Sequence, residues 1–324
     1  MSDTFKALPS QAGEVPRQQP SLMTRFYDNP HILLLTVGSF LAVSVVFAKT
    51  GPMVGWHPLG LLQWAIIGGA ALLWSGTLLA GVESGARHRA SRAAKLRLLK
   101  YLFITGILFI APNMIAVVAA PEVGASFVSL SYAFPLVLTY AFAVLIGLER
   151  FQMLRSIGVL AGLAGGVLLA GGGAGVSPEG SFWAVVTLAI PVFLAVGNIY
   201  RSLKWPDGAT PIELALGMMV VAFIALAIFN AVMGIPVGPA EWTSAALGLL
   251  LAQILAFSVQ YGLYFRLQQV AGPVYLSQIG SVAAIAGLGL GYLVFSEVPN
   301  LAKLGAIAAV ALGIVFVTLG KGRG

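Results

Sequence analysis

The sequence predicts an all-α polytopic membrane protein, with ten transmembrane helices arranged as two inverted five-helix repeats. Three observations predict it. The chain is too apolar for a soluble domain, its apolar residues fall into ten runs, and its basic residues fall in alternate loops.

Hydrophobic residues make up 59% of the 324 residues and charged residues 9%, whereas a soluble domain carries about 25% charged residues. The mean hydropathy is +0.94. The 39 glycines fit membrane helices, which tolerate glycine better than soluble helices do. The chain has no cysteine, which excludes a disulfide framework, a thiolate metal site and a cysteine nucleophile. The net charge of +7 raises nucleic acid as a partner, but the positions of the basic residues answer it differently.

Residues 1–30 contain proline, glutamine and scattered charge but no apolar core, and read as a disordered cytoplasmic tail. A helix needs about 20 mostly apolar residues to cross a bilayer. Ten runs meet that need, at 31–49, 58–80, 99–119, 123–147, 153–172, 181–203, 212–233, 243–265, 273–295 and 301–319. The links between them are too short for a soluble domain.

With the N-terminus inside, the inner segments hold Lys6, Arg17 and Arg25, then Arg87, Arg89, Arg92, Lys95, Arg97 and Lys100. They continue with Arg150, Arg155, Arg201, Lys204, Arg266, Lys321 and Arg323. Of the 18 basic residues, Lys49 and Lys303 are left outside. An error in the number of spans would scramble this alternation, so both termini are expected in the cytoplasm. The basic surplus thus anchors topology, and no nucleic-acid partner is expected.

The word FLAV occurs at Phe40 to Val43 and again at Phe193 to Val196, near the middle of spans 1 and 6. Residues Gly124 to Phe151 lie over Gly272 to Pro299 without gaps, pairing Gly124 with Gly272, Ser129 with Ser277 and Glu149 with Glu297. These matches define a first repeat over 31–172 and a second over 181–320. An odd number of spans per unit reverses the second copy. Inverted repeats of this kind are found in many secondary transporters, with the substrate site at the repeat interface.

The GLER and FSE endings of spans 4 and 9, and the glycine-rich helix after each, resemble the EamA branch of the drug/metabolite transporter superfamily. The resemblance covers the chain after about residue 30, and extends distantly to that superfamily's aromatic amino-acid exporters. The chain has Val37-Gly38 where many members open span 1 with Trp-Gly, and Ala283 opposite Pro135 where many carry a second proline. The resemblance implies export of small amphiphilic metabolites, a pocket between spans 1–4 and 6–9, and spans 5 and 10 as an outer buttress.

Uncharged polar groups inside a span cost free energy unless they find partners. Those singled out as substrate contacts are Ser44, Trp64, Asn113, Tyr132, Asn198, Gln260, Tyr264 and Gln278. The alternative for each is an ordinary interhelical hydrogen bond, worth about 0.6 kcal/mol. Lys49 and Arg201 end spans 1 and 6 and are gate candidates. Lys49 would meet a substrate carboxylate or an acid such as Glu122, or snorkel to the headgroups. Pro135 and Pro191 each free a backbone carbonyl and are hinge candidates, or static kinks. Gly158, Gly162 and Gly166 make a smooth face for packing within the chain, or for a homodimer.

All eleven acids lie in tails, loops or span ends. Facilitated export, exchange, or coupling through an edge acid is therefore expected, rather than a proton relay at mid-membrane. The expected function is secondary transport by alternating access of a small, neutral or zwitterionic molecule with an apolar part, such as an amino acid. The expected location is a bacterial inner membrane, with lipid as the surrounding partner. A membrane-embedded enzyme and a channel are the rival classes. No cofactor, metal or catalytic residue is expected, because His31, His57 and His88 all sit at span edges or in loops.

Overall fold

The computed structural model describes residues 28–79, 91–147, 150–172, 178–298 and 301–319. The tail to residue 27, Arg87, Arg89, Glu149, Lys321 and Arg323 lie outside the described residues. Every regular element among the described residues is helical. Helix α1 is Pro30–Thr50 and runs into a short 3-10 turn, Gly51–Val54; α2 is Pro58–Leu79 and α3 is Arg92–Val123. Then come α4 (Ala125–Ser131), α5 (Pro135–Leu145), α6 (Met153–Gly172), α7 (Pro178–Thr187) and α8 (Ala189–Leu203). The chain ends with α9 (Pro211–Met233), α10 (Ser244–Leu276), α11 (Ile279–Phe295) and α12 (Leu301–Leu319).

Local chemistry sets the helix starts. The Asn29 side chain accepts the N–H groups of His31 and Ile32, with Pro30 as the first helical residue of α1. That arrangement satisfies amides that have no intrahelical partner. Thr210 and Glu213 form a reciprocal capping box at α9, whose other end stops at Gly234 with φ 64°.

Among the described residues, seven helical segments are long and apolar enough to cross a membrane: Pro30–Val54, Pro58–Leu79, Arg92–Val123, Ala125–Leu145, Phe182–Leu203, Pro211–Met233 and Ser244–Pro273. Three shorter apolar helices accompany them, at Met153–Gly162, Ile279–Phe295 and Leu304–Gly313. Many are apolar on the outward face as well as the inward one. Leu79 is 90% exposed, Leu301 88% and Leu293 77%. Water would penalise such a surface and lipid would not, so the fold is compatible with an integral membrane protein.

The chain changes direction at two glycines 148 residues apart. Gly124, between α3 and α4, has φ 93° and ψ 150°, and Gly272, within α10, has φ 75° and ψ 179°. A side chain would be strained at either. Helix α4 then stops at a turn over Tyr132–Phe134, directly before Pro135. Pro135 has no N–H to give the Ser131 carbonyl, which instead accepts from Phe134 at 3.3 Å. A similar break at Leu188 separates α7 from α8, three residues before Pro191. Both prolines thus lie at helix breaks.

Helix α1 packs against α10 and α11, while α8 packs against α3 and α5. Helix α2 lies against α9 and α10, α3 against α9, and α4 against α11. Helices α6 and α12 pair mainly with each other. A Cβ on Gly313 of α12 would come within 2.7 Å of the Gly158 carbonyl and 3.0 Å of the Gly162 nitrogen. The Gly158 and Gly162 face is therefore occupied within the chain. The tightest approach is elsewhere: Gly280 of α11 sits against the Tyr132 carbonyl, leaving no room for a methyl group.

Candidate functional site

A cavity of about 50 Å³ lies between α1, α3, the α4–α5 break, α8, α9 and the bend from α10 into α11. A water needs about 10–15 Å³ on this measure, so the space holds several waters or a small organic group. Both halves of the chain contribute to its wall. Leu41 and Leu194, the leucines of the two FLAV words, both face it. A smaller recess of about 10 Å³ continues from it past Ser44.

The polar end of the cavity is organised around Arg201, which is 3% exposed. Its Nη2 donates to Asn198 Oδ1 at 2.7 Å and to the Tyr264 hydroxyl at 2.6 Å, and its Nε donates to Gln268 Oε1 at 3.2 Å. Tyr264 in turn donates to Asn198 Oδ1 at 2.7 Å. Asn198 Nδ2 donates to Ser277 Oγ at 3.2 Å, which is itself 3.2 Å from Thr139 Oγ1. Residues of α5, α8, α10 and the α10–α11 junction are thus joined in one network. Every hydrogen-bond partner of Arg201 is neutral. Its solvation is replaced, but its charge is not balanced by a carboxylate among the described residues.

The other end is more weakly polar. Asn113 Nδ2 donates to its own helix at the Phe109 carbonyl, 2.8 Å away, and Tyr261 lies beside it on the cavity wall. Ser44 Oγ donates to Gln260 Oε1 at 3.4 Å, bridging α1 and α10.

Beyond this end lies an ionic clamp. Lys49 pairs with Glu297, just past α11, and its ammonium lies 4.5 Å from the Phe295 ring centroid. The same carboxylate accepts the N–H groups of Ala125 at 2.9 Å and Ser126 at 2.8 Å, at the start of α4. Burial alone would raise the Glu297 pKa. Hydrogen bonds from Lys49 and Ser126, and the charge of Lys49, outweigh it and hold the carboxyl below its ordinary value of 4.5.

Of the residues singled out in the sequence, Asn113, Tyr132, Pro135, Asn198, Arg201, Gln260 and Tyr264 meet at the cavity, and Ser44 lines the adjoining recess. Four lie elsewhere. Trp64 is 41% exposed and gives its indole N–H to the Val237 carbonyl at 2.6 Å. Gln278 precedes α11 away from the cavity wall, and its neighbour Ser277 occupies the wall instead. Lys49 belongs to the clamp, and the acid it meets is Glu297 rather than Glu122. Pro191 is buried within α8. Sequence reasoning passed over Ser277, Thr139 and Gln268 as members of the network. The repeat alignment had pointed to Ser277 through its match with Ser129.

No protein-family model matches the chain, and no curated protein matches it. Among solved structures, one described as "Crystal structure of protein" superposes with a TM-score of 0.62 at 18% identity, over 90% of this chain and 97% of that one. At that identity the likeness is one of fold alone: nearly the whole helical arrangement has a counterpart in a crystal structure.

Proposed function

We propose that this chain is a ten-span secondary transporter of the EamA kind, built from two inverted five-helix halves, and that it exports small amphiphilic metabolites such as amino acids by alternating access. The observation that carries this reading is the cavity, which takes one wall from each half and has its most polar residues at one end.

The packing adds support. Label α1, α2, α3, α4–α5 and α6 as spans 1–5, and α7–α8, α9, α10, α11 and α12 as spans 6–10. Span 1 then lies on spans 8 and 9, and span 6 on spans 3 and 4; span 2 lies on span 8, and span 7 on span 3. The pairs 2 with 7, 4 with 9 and 5 with 10 map onto themselves. Exchanging the halves leaves these pairs unchanged, as a pseudo-twofold axis would. Gly124 and Gly272, matched in the sequence alignment, share the same unusual backbone conformation.

In this reading the Lys49–Glu297 clamp closes the outer side by tying span 1 to spans 4 and 9. Breaking it while the inner side closes would carry the cavity from one face to the other. Counter-flow into liposomes tests the reading. Purified protein is reconstituted into vesicles loaded with an unlabelled amino-acid mixture, and labelled amino acids are added outside. Saturable uptake, accelerated by internal substrate, is expected of a carrier. Flux that neither saturates nor responds to internal substrate would make the protein a channel, and absence of flux would remove transport of this substrate class.

A further inference from the structure

We infer that Arg201 is the anchor for a carboxylate, so that the cavity takes a small organic acid or amino acid with an apolar body, held acid-end first. The inference rests on the transporter reading and deepens it by naming the group that the site recognises.

Arg201 is 97% removed from solvent yet faces the cavity. A guanidinium carries five N–H donors in a rigid fork. Nε and Nη2 are engaged with Gln268, Asn198 and Tyr264, while Nη1 donates to no described residue. Nη1 lies on the side of Gly197, where a Cβ would come within 3.0 Å of it. The missing side chain lets the guanidinium pack flat on the backbone of α8, with Arg201 still in the cavity wall. No Asp or Glu is among the cavity-lining residues, so a bound anion finds a positive charge without a competing negative one.

A cation buried without a counter-ion is unfavourable, and a ligand carboxylate arriving at Nη1 would offset that cost. The network aims the guanidinium in advance, so little side-chain entropy remains to be lost on binding. Away from Arg201 the wall is largely apolar, with Leu41, Phe109, Leu194 and Met218, and this end suits a hydrocarbon or aromatic body. One guanidinium with one free nitrogen matches a carboxylate. A phosphate, with more charge and three acceptor oxygens, calls for more cationic donors.

Thermal stability of the purified full chain in detergent tests this with three probes on one phenylpropyl carbon skeleton: 3-phenylpropionate, 3-phenylpropan-1-ol and 3-phenylpropylamine. L-phenylalanine and L-phenylalaninol separate a plain acid from a zwitterion. At constant ionic strength, at least one of the two carboxylate probes is expected to raise the Tm in a saturable way, while the alcohols and the amine do not. Arg201→Lys is expected to weaken binding of that probe by about tenfold or more, the size of a lost charge-assisted hydrogen bond, and Arg201→Gln to weaken it further. Stabilisation by neither carboxylate, equal stabilisation by the matching alcohol, or undiminished binding in a folded Arg201→Gln overturns the inference. The probe comparison uses the unaltered chain, so misfolding of a variant does not rescue the inference. Carboxylate binding without counter-flow removes the transporter reading and leaves the site. Counter-flow without carboxylate selectivity removes the site and leaves the transporter.

Discussion

Lys49 and Glu297 are 248 residues apart in the chain and joined in space, and the same carboxylate also caps the start of α4 through the amides of Ala125 and Ser126. One side chain thus holds three helices together at one end of the molecule. Because the Glu297 carboxyl is held below its ordinary 4.5 in the folded protein, its contribution to stability is complete above that value and is lost as pH falls through the lower folded value. Glu297→Gln is expected to cost on the order of 2 kcal/mol near neutrality, as charge-assisted hydrogen bonds are lost. It should also flatten the fall in Tm below about pH 4.5. A Tm–pH profile that keeps the same acid limb in the variant would show that other carboxyls set it.

Gly280 and Gly272 separate two demands on glycine. At Gly272 the backbone has φ 75° and nothing lies within 4 Å of where a Cβ would sit. Gly272→Ala should therefore cost only the strain of a positive-φ, extended backbone that is essentially glycine's own, about 1–3 kcal/mol. At Gly280 the methyl would strike the Tyr132 carbonyl, which is backbone and has no rotamer to yield. Gly280→Ala is expected to cost more than about 3 kcal/mol, or to prevent folding. Size-exclusion profiles and Tm values in detergent check the order, and a Gly280→Ala protein as stable as the parent would contradict the close packing of α11 on the α4–α5 turn.

A polar pair outside the cavity behaves differently. Asn230 Nδ2 donates to Gln63 Oε1 at 2.8 Å, joining α9 to α2. Neither residue lines the cavity. A double-mutant cycle with Gln63→Leu and Asn230→Leu is expected to return a coupling of about 0.6 kcal/mol, the average for such bonds between membrane helices. Counter-flow kinetics should be unchanged in the double variant. A large loss of transport with preserved stability would place this pair in the transport path.

Much of this arrangement was legible in the sequence, because hydropathy and chain punctuation are local properties. The apolar runs mark the helices, and Pro135 and Pro191 mark two of their breaks. The two FLAV words each place a leucine, Leu41 and Leu194, on the same cavity. What stayed hidden depends on how distant helices turn toward one another. Ser277 and Gln278 are neighbours, but one residue is about 100° of helical rotation, and the turn after Pro273 points the serine to the cavity rather than the glutamine. Lys49 was readable as a cation at a span end, but Glu297 as its partner needed the contact of α1 with α11. Arg201 reads as a span-end cation by position. Its burial follows from Tyr264 and Gln268 of α10 closing over it, which no local pattern shows.

The orientation of the chain offers a test that the sequence itself makes convenient. With no cysteine present, any single cysteine introduced is a unique reporter. Asp207, between α8 and α9, and Glu241, between α9 and α10, are both exposed and lie at opposite ends of α9. If the ten-span arrangement holds with the N-terminus inside, Asp207→Cys faces the cytoplasm and Glu241→Cys the outside. A membrane-impermeant maleimide added to intact cells should label Glu241→Cys at once, and Asp207→Cys only after permeabilisation. The reverse pattern would invert the molecule and put the Lys49–Glu297 clamp on the cytoplasmic side. Labelling of both from outside would mean that α9 does not cross the membrane, and the two-half arrangement would fall with it.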